Sequence, residues 1–252
     1  MKILKKINEE WQTAWITLWF FCGAAALYAG TLNELATSNN PTFIYSKFFI
    51  ALIGLLCVVS LTFRKNILGN GLGITANIGE IYVQYYSGAT GLTLAPAFYL
   101  ITHIFALNYW RKNQDGDGNM LPRSANRNVW LFTTVCIGAG LLFFPWLNKE
   151  IAQFRFIDNN NDPAFYLGSI IVNWYAINIL AFVLGIAAQT SMILRYTYSW
   201  ILWIIVNFTW LTVNLLTHNY IFAIQTIIYQ INAFLALYEW WKNSQTHSKT
   251  TL

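Results

Sequence analysis

The sequence predicts an all-α polytopic membrane protein of eight spans: an N-terminal helix, then two parallel three-helix bundles joined by a linker helix. Three observations carry that expectation. Of the 252 residues, 56% are hydrophobic and 10% charged, where a soluble domain carries about 25% charged residues; the mean hydropathy is +0.44. Apolar runs long enough to cross a hydrocarbon core of about 30 Å as helices recur eight times. The chain also matches itself, without a gap, when slid by 130 residues. So little charge cannot cover a water-facing surface, and the runs leave no length for a separate soluble domain.

In order, the runs lie at 12–30, 45–63, 67–86, 92–110, 128–147, 164–194, 198–217 and 221–241. Lys2, Lys5 and Lys6 precede the first, but Glu9 and Glu10 intervene and Trp11, Trp15 and Trp19 recur every four residues. That pattern fits a retained span better than a cleaved leader, with an interfacial helix as the competing reading. The remaining runs divide into 1–40 (N-terminal helix and outer loop), 41–113 (first three-helix repeat), 114–160 (inner loop, linker helix, outer loop), 161–243 (second repeat) and 244–252 (tail). Cys22, Cys57 and Cys136 fall in separate runs and read as buried small hydrophobes rather than a disulfide or metal framework.

Threading the runs from an inside N-terminus puts twelve Lys and Arg residues in inside segments and three, Lys47, Lys149 and Arg155, outside. By the positive-inside rule both termini are cytoplasmic. The net charge of +5 is thus a topology signal, not a nucleic-acid footprint. The one sizeable inside loop, "RKNQDGDGNMLPRSANR", reads as a flexible connector. Its Asp/Gly pattern from Asp115 resembles a calcium loop, but Met120 and Asn126 stand where that loop needs glycine and glutamate.

At the 130-residue offset Asn77 meets Asn207, Tyr99 meets Tyr229, Trp110 meets Trp240, Lys112 meets Lys242 and Lys65 meets Arg195. Within "WIIVNFTWLTVN", Trp203, Asn207, Trp210 and Asn214 are spaced four, three and four apart and share one helical face. Their counterparts are Gly73, Asn77, Glu80 and Gln84. A polar group left unpaired in hydrocarbon costs several kcal/mol, so these amides must meet each other, water or a ligand. One stripe alone would serve as helix–helix glue. Two at matched depth belong around a midplane cavity, where parallel repeats hold their substrate.

Glu80 is the only acid well inside a run, a candidate cation ligand or proton carrier. Trp174 and Asn178 share a face in the second repeat, but Ile44 and Phe48 stand opposite them, so their contribution is one-sided. Tyr229, with Gln230 and Asn232, supplies donors on the last span, whereas His103, opposite Ala233, reads as a satisfied core histidine. Indole faces suit an aromatic or cationic ring, and amides suit hydroxyls or a carboxamide. No Lys or Arg lies mid-run to hold a phosphate. A neutral or cationic polar molecule is expected, with no cofactor and no metal. An enzyme would need clustered acids, or a nucleophile beside a base, and none is apparent.

On "GLLCVVSLTFRKN", "AFYLITHIFALNYWRK" and "WILWIIVNF", the chain resembles the PnuC family of nicotinamide riboside transporters over residues 45–243. The resemblance implies a fold similar to the SWEET sugar transporters, with a 3-1-3 arrangement, and facilitated diffusion of nicotinamide riboside, an NAD precursor. It also implies a bacterial inner membrane, a homotrimer, and trapping of the product by a cytoplasmic riboside kinase. The substrate site would comprise Asn77, Glu80, Gln84, Trp174, Asn178, Trp203, Asn207, Trp210, Asn214 and Tyr229. A SWEET-like sugar carrier, or a carrier of another vitamin such as thiamine, is the alternative.

Overall fold

A computed structural model describes residues 2–86, 94–150, 163–167, 169–216 and 218–248. They form α1 (Lys2–Leu35), α2 (Pro41–Thr62), α3 (Asn66–Tyr86), α4 (Leu94–Arg111), α5 (Arg127–Glu150), β1 (Pro163–Leu167), β2 (Ile170–Asn173), α6 (Trp174–Ile193), α7 (Ser199–Leu216) and α8 (Tyr220–Ser248). Local chemistry sets several boundaries. Asn40 caps α2 by accepting the Phe43 N–H at 3.1 Å, with Pro41 opening the first turn. Asn126 does the same for α5, accepting the Val129 N–H at 3.0 Å.

Among the described residues, six helices are long and apolar enough to cross a membrane. α3 and α4 are not among them; α3 spends Asn66, Asn70, Asn77, Glu80 and Gln84 on its sequence. The side chains of α3 and α7 are sorted against the usual soluble pattern. Ile67, Ile78, Ile201, Ile205 and Phe208 face outward and are exposed, while Asn70, Asn77, Asn207 and Asn214 are buried. An exterior this apolar suits lipid rather than water.

Six helices close a ring: α2 packs on α3, α3 on α4, α4 on α6, α6 on α7, α7 on α8, and α8 on α2. α1 leans on α2 and α8, and α5 on α6. Contacts across the ring are reciprocal. Trp110 Nε1 on α4 donates to the Ile193 carbonyl at 2.8 Å, and Trp240 Nε1 on α8 donates to the Leu61 carbonyl at 3.1 Å. The two indoles meet edge to face at 5.8 Å. The Tyr99 hydroxyl of α4 lies against Gly185 of α6, and the Tyr229 hydroxyl of α8 against Gly54 of α2, so that a Cβ at either glycine would collide with a phenol oxygen. Gly54→Ala and Gly185→Ala are each expected to cost about 1–3 kcal/mol by overpacking, read as a lower unfolding midpoint in detergent; wild-type midpoints for both would mean the phenols yield freely.

The ends of α2 and α6 correct the repeat register. Arg64 (φ 62°) and Arg195 (φ 69°) both adopt the left-handed conformation. Lys65 N donates to the Ser60 carbonyl and Tyr196 N to the Ser191 carbonyl, each at 2.9 Å, as in a Schellman cap. The counterpart of Arg195 is therefore Arg64, not Lys65, and α2 matches α6 at an offset of 131. The stripes keep the offset of 130, so one residue fewer separates Arg195 from Asn207 than separates Arg64 from Asn77.

Three other expectations change. The apolar run from 164 is not helical throughout: β1 and β2 pair antiparallel, Leu167 opposite Ile170, before α6 begins at Trp174. The inside loop is a strap rather than a loose connector. Met120 N donates to the Arg64 carbonyl at 3.0 Å, Arg123 N to the Arg195 carbonyl at 2.8 Å, and Thr197 N to the Arg123 carbonyl at 3.1 Å. Asp115 pairs with Arg64 at 3.1 Å and accepts the Asn119 N–H at 2.9 Å. Of the three cysteines, Cys57 alone is buried, its thiol 3.2 Å from the Gly69 carbonyl, while Cys22 and Cys136 are exposed. At the opposite end from the strap, Glu34 of α1 bonds Lys47 of α2 at 2.5 Å and accepts the Ile221 N–H of α8 at 2.9 Å.

Candidate functional site

The ring encloses a cavity of about 170 Å³, many times the roughly 15 Å³ a single water needs. The stripe Gly73, Asn77, Glu80, Gln84 lines it from α3, and Trp203, Asn207, Trp210, Asn214 from α7. Helical spacing put each set on one face, and ring closure turns the two faces toward one space. α8 contributes Phe222, Gln225, Thr226 and Tyr229, α4 contributes Ala95, Pro96 and Tyr99, and α2 contributes Gly54, Cys57 and Val58.

Hydrogen bonds show which groups remain available. Asn77 donates Nδ2 to the Gly73 carbonyl at 2.7 Å, which fixes its rotamer and leaves Oδ1 as an acceptor. Asn214 is more committed: Nδ2 reaches Thr226 Oγ1 at 3.4 Å and Oδ1 accepts from Asn219 at 3.4 Å. Gln225 bonds the Ala51 carbonyl at 3.1 Å and the Tyr229 hydroxyl at 2.9 Å, holding that phenol against the cavity. Asn207 is buried, 5% exposed, and its side chain has no hydrogen bond to any described residue. The Tyr99 hydroxyl and the Trp203 indole N–H are buried without partners among the described residues, and the two rings meet edge to face at 5.8 Å. Buried donors without partners cost about 1–3 kcal/mol each, so the wall is arranged for a polar occupant. Glu80 pairs with no cation among the described residues, and no Lys or Arg lines the cavity.

Eight of the ten expected site residues thus line one space: Asn77, Glu80, Gln84, Trp203, Asn207, Trp210, Asn214 and Tyr229. Asn178 does not line it. Trp174 opens α6, but its side chain lies outside the described residues. Sequence reasoning missed Gln225, although Phe222, Gln225, Thr226 and Tyr229 follow the i, i+3, i+4, i+7 pattern of one helical face. It named Gln230 and Asn232 as further donors instead; neither lines the cavity, and Asn232 turns away to Thr62 Oγ1 at 2.7 Å. His103 packs against Gly73 and bonds Asn70 Oδ1 at 2.8 Å through Nδ1, a satisfied core position as expected.

A family model described as nicotinamide mononucleotide transporter matches residues 44–242. A solved structure, described as the crystal structure of the vitamin B3 transporter PnuC, superposes with a TM-score of 0.71. The match covers 94% of this chain and 93% of that one, at 19% identity. No curated protein matches the chain in sequence. The family and the structural neighbour are transporters, not enzymes.

Proposed function

The chain belongs to the nicotinamide mononucleotide transporter family, and we propose that it imports nicotinamide riboside by facilitated diffusion through the ring cavity. The observation that carries this reading is the charge of the cavity: one carboxylate, Glu80, and no Lys or Arg among its lining residues. A mononucleotide would bring a phosphate into a space that offers it no cation and one repelling acid. The riboside brings a pyridinium, a carboxamide and a ribose. Trp203 and Trp210 suit the cationic ring, Glu80 its charge, and Asn77, Asn207 and Gln84 its amide and hydroxyls. Tyr229 and Asn214 complete that wall; Trp174 is proposed with them, and Asn178 belongs to the site only if α6 moves toward the cavity.

The same reading has two parallel three-helix units, α2–α4 and α6–α8, joined by α5 in a SWEET-like 3-1-3 order, with α1 bringing the spans to eight. The reciprocal Trp and Tyr contacts support it. The sequence count of twelve basic residues in inside segments against three outside orients the strap end to the cytoplasm of a bacterial inner membrane. A homotrimer and trapping of the riboside by a cytoplasmic kinase complete the proposal.

Direct binding to purified protein tests it. Nicotinamide riboside should bind at least about a hundredfold more tightly than the mononucleotide, and glucose and thiamine should bind weakly. Equal affinity for riboside and mononucleotide would remove the ligand assignment, and glucose binding at the riboside's strength would favour a sugar carrier.

A further inference from the structure

Below the main cavity, toward the strap, lies a second chamber of about 80 Å³. Val58, Trp203, Asn207 and Tyr229 line both spaces and so form the partition between them. Around this chamber the two halves of the ring differ at two pairs of positions, His103 against Ala233 and Gly73 against Trp203. In the first half, His103 fills the space beside Gly73 and bonds to Asn70, while Gln189 of α6 donates to Thr102 Oγ1 at 3.0 Å beside it. In the second half the position matching His103 is Ala233, 2% exposed, and a void lies between it and the Trp203 indole, both of which line the chamber.

That void is not purely apolar. Gln189, 2% exposed, lines it. So does Trp200, 3% exposed, whose indole N–H is buried with no hydrogen-bond acceptor among the described residues. Trp203, which belongs to the partition, likewise has an unpartnered N–H. Empty cavities that stay dry are apolar; one bordered by an amide and two unpartnered indole donors suits an acceptor. The chamber is too small for a whole nucleoside and lies in line with the main cavity, on the basic side of its floor.

Resting on the transport reading above, we propose that this chamber is a release-side subsite, which receives the uncharged polar end of the substrate, its hydroxyls or carboxamide, when the Trp203–Asn207–Tyr229 partition opens. Substrate would then pass down the half of the ring that Ala233 leaves open, rather than the half that His103 and its amides occupy.

Two variants test this in the full-length protein, using radiolabelled nicotinamide riboside for binding in detergent and for uptake into proteoliposomes. Ala233→Leu fills the chamber and should cut uptake at least about tenfold while binding affinity stays within about twofold of wild type. Trp200→Phe removes the N–H but keeps the ring edge against Trp240, 5.5 Å away, and should slow uptake severalfold, again at unchanged affinity. Uptake by Ala233→Leu at the wild-type rate would overturn the subsite. So would a parallel loss of affinity and uptake in both variants with unchanged unfolding midpoints, since the chamber would then be part of the resting site. If the wild-type protein itself bound no riboside, the transport reading would fail, which is a different result from normal uptake by a filled chamber.

Discussion

Asn207→Leu is expected to weaken nicotinamide riboside binding by about a hundredfold or more, measured by calorimetry on purified protein. Asn207 is buried, faces both the main cavity and the chamber below, and has no side-chain hydrogen bond to lose among the described residues. Its amide is therefore held in reserve for a ligand. Replacing it by a similar apolar volume strands at least one ligand group in a low-dielectric space, at about 1–3 kcal/mol per group. An amide can serve two such groups, and each 1.4 kcal/mol is tenfold in affinity. Asn214→Leu supplies the contrast. That amide already engages Thr226 and Asn219, so its loss should lower stability more than affinity. If Asn207→Leu bound riboside like wild type, the amide stripe would have no part in recognition.

Lys47→Met is expected to destabilise the protein by about 3–5 kcal/mol, the usual result of stranding one partner of a buried ion pair. Lys47 and Glu34 have side chains 8% exposed, so neither charge can retreat to water. The lone carboxylate would remain bonded to the Ile221 N–H at the start of α8. The double variant Glu34→Gln/Lys47→Met keeps that acceptor and removes both charges, and should recover most of the loss. Unfolding midpoints in detergent read both. Equal midpoints for wild type and Lys47→Met would show that α1 is not anchored through this pair. The consequence concerns architecture: α1 lies outside the repeat in sequence, yet Glu34 ties it to α2 and α8, the seam between the two halves.

The two stripes could be read from sequence because helical spacing and the 130-residue offset are independent patterns that both singled out Asn77 and Asn207. What escaped was set by tertiary context. Residues 163–173 are apolar enough to extend a span on hydropathy alone. Yet Pro163, the Gly168-Ser169 pair and the β-branched Ile170, Ile171 and Val172 are hairpin signals that hydropathy does not weigh. The strap was invisible because its bonds join Met120 to Arg64 and Arg123 to Arg195, 56 and 72 residues apart; no local pattern marks them. The offset of 131 in α2 and α6 was hidden because aliphatic residues match almost as well one position away. Gly54 and Gly185 carry the true register, and a glycine's meaning appears only once the tyrosine above it is known.

Tyr99 and Tyr229 each stand in the wall of the cavity while bracing a helix of the opposite half. The surface that a guest molecule would touch is thus the same surface on which the two halves bear against each other, so recognition and mechanical closure share their parts. A molecule large enough to press on both phenols at once would act as a keystone, and one reaching only a single side would leave the arch as it found it.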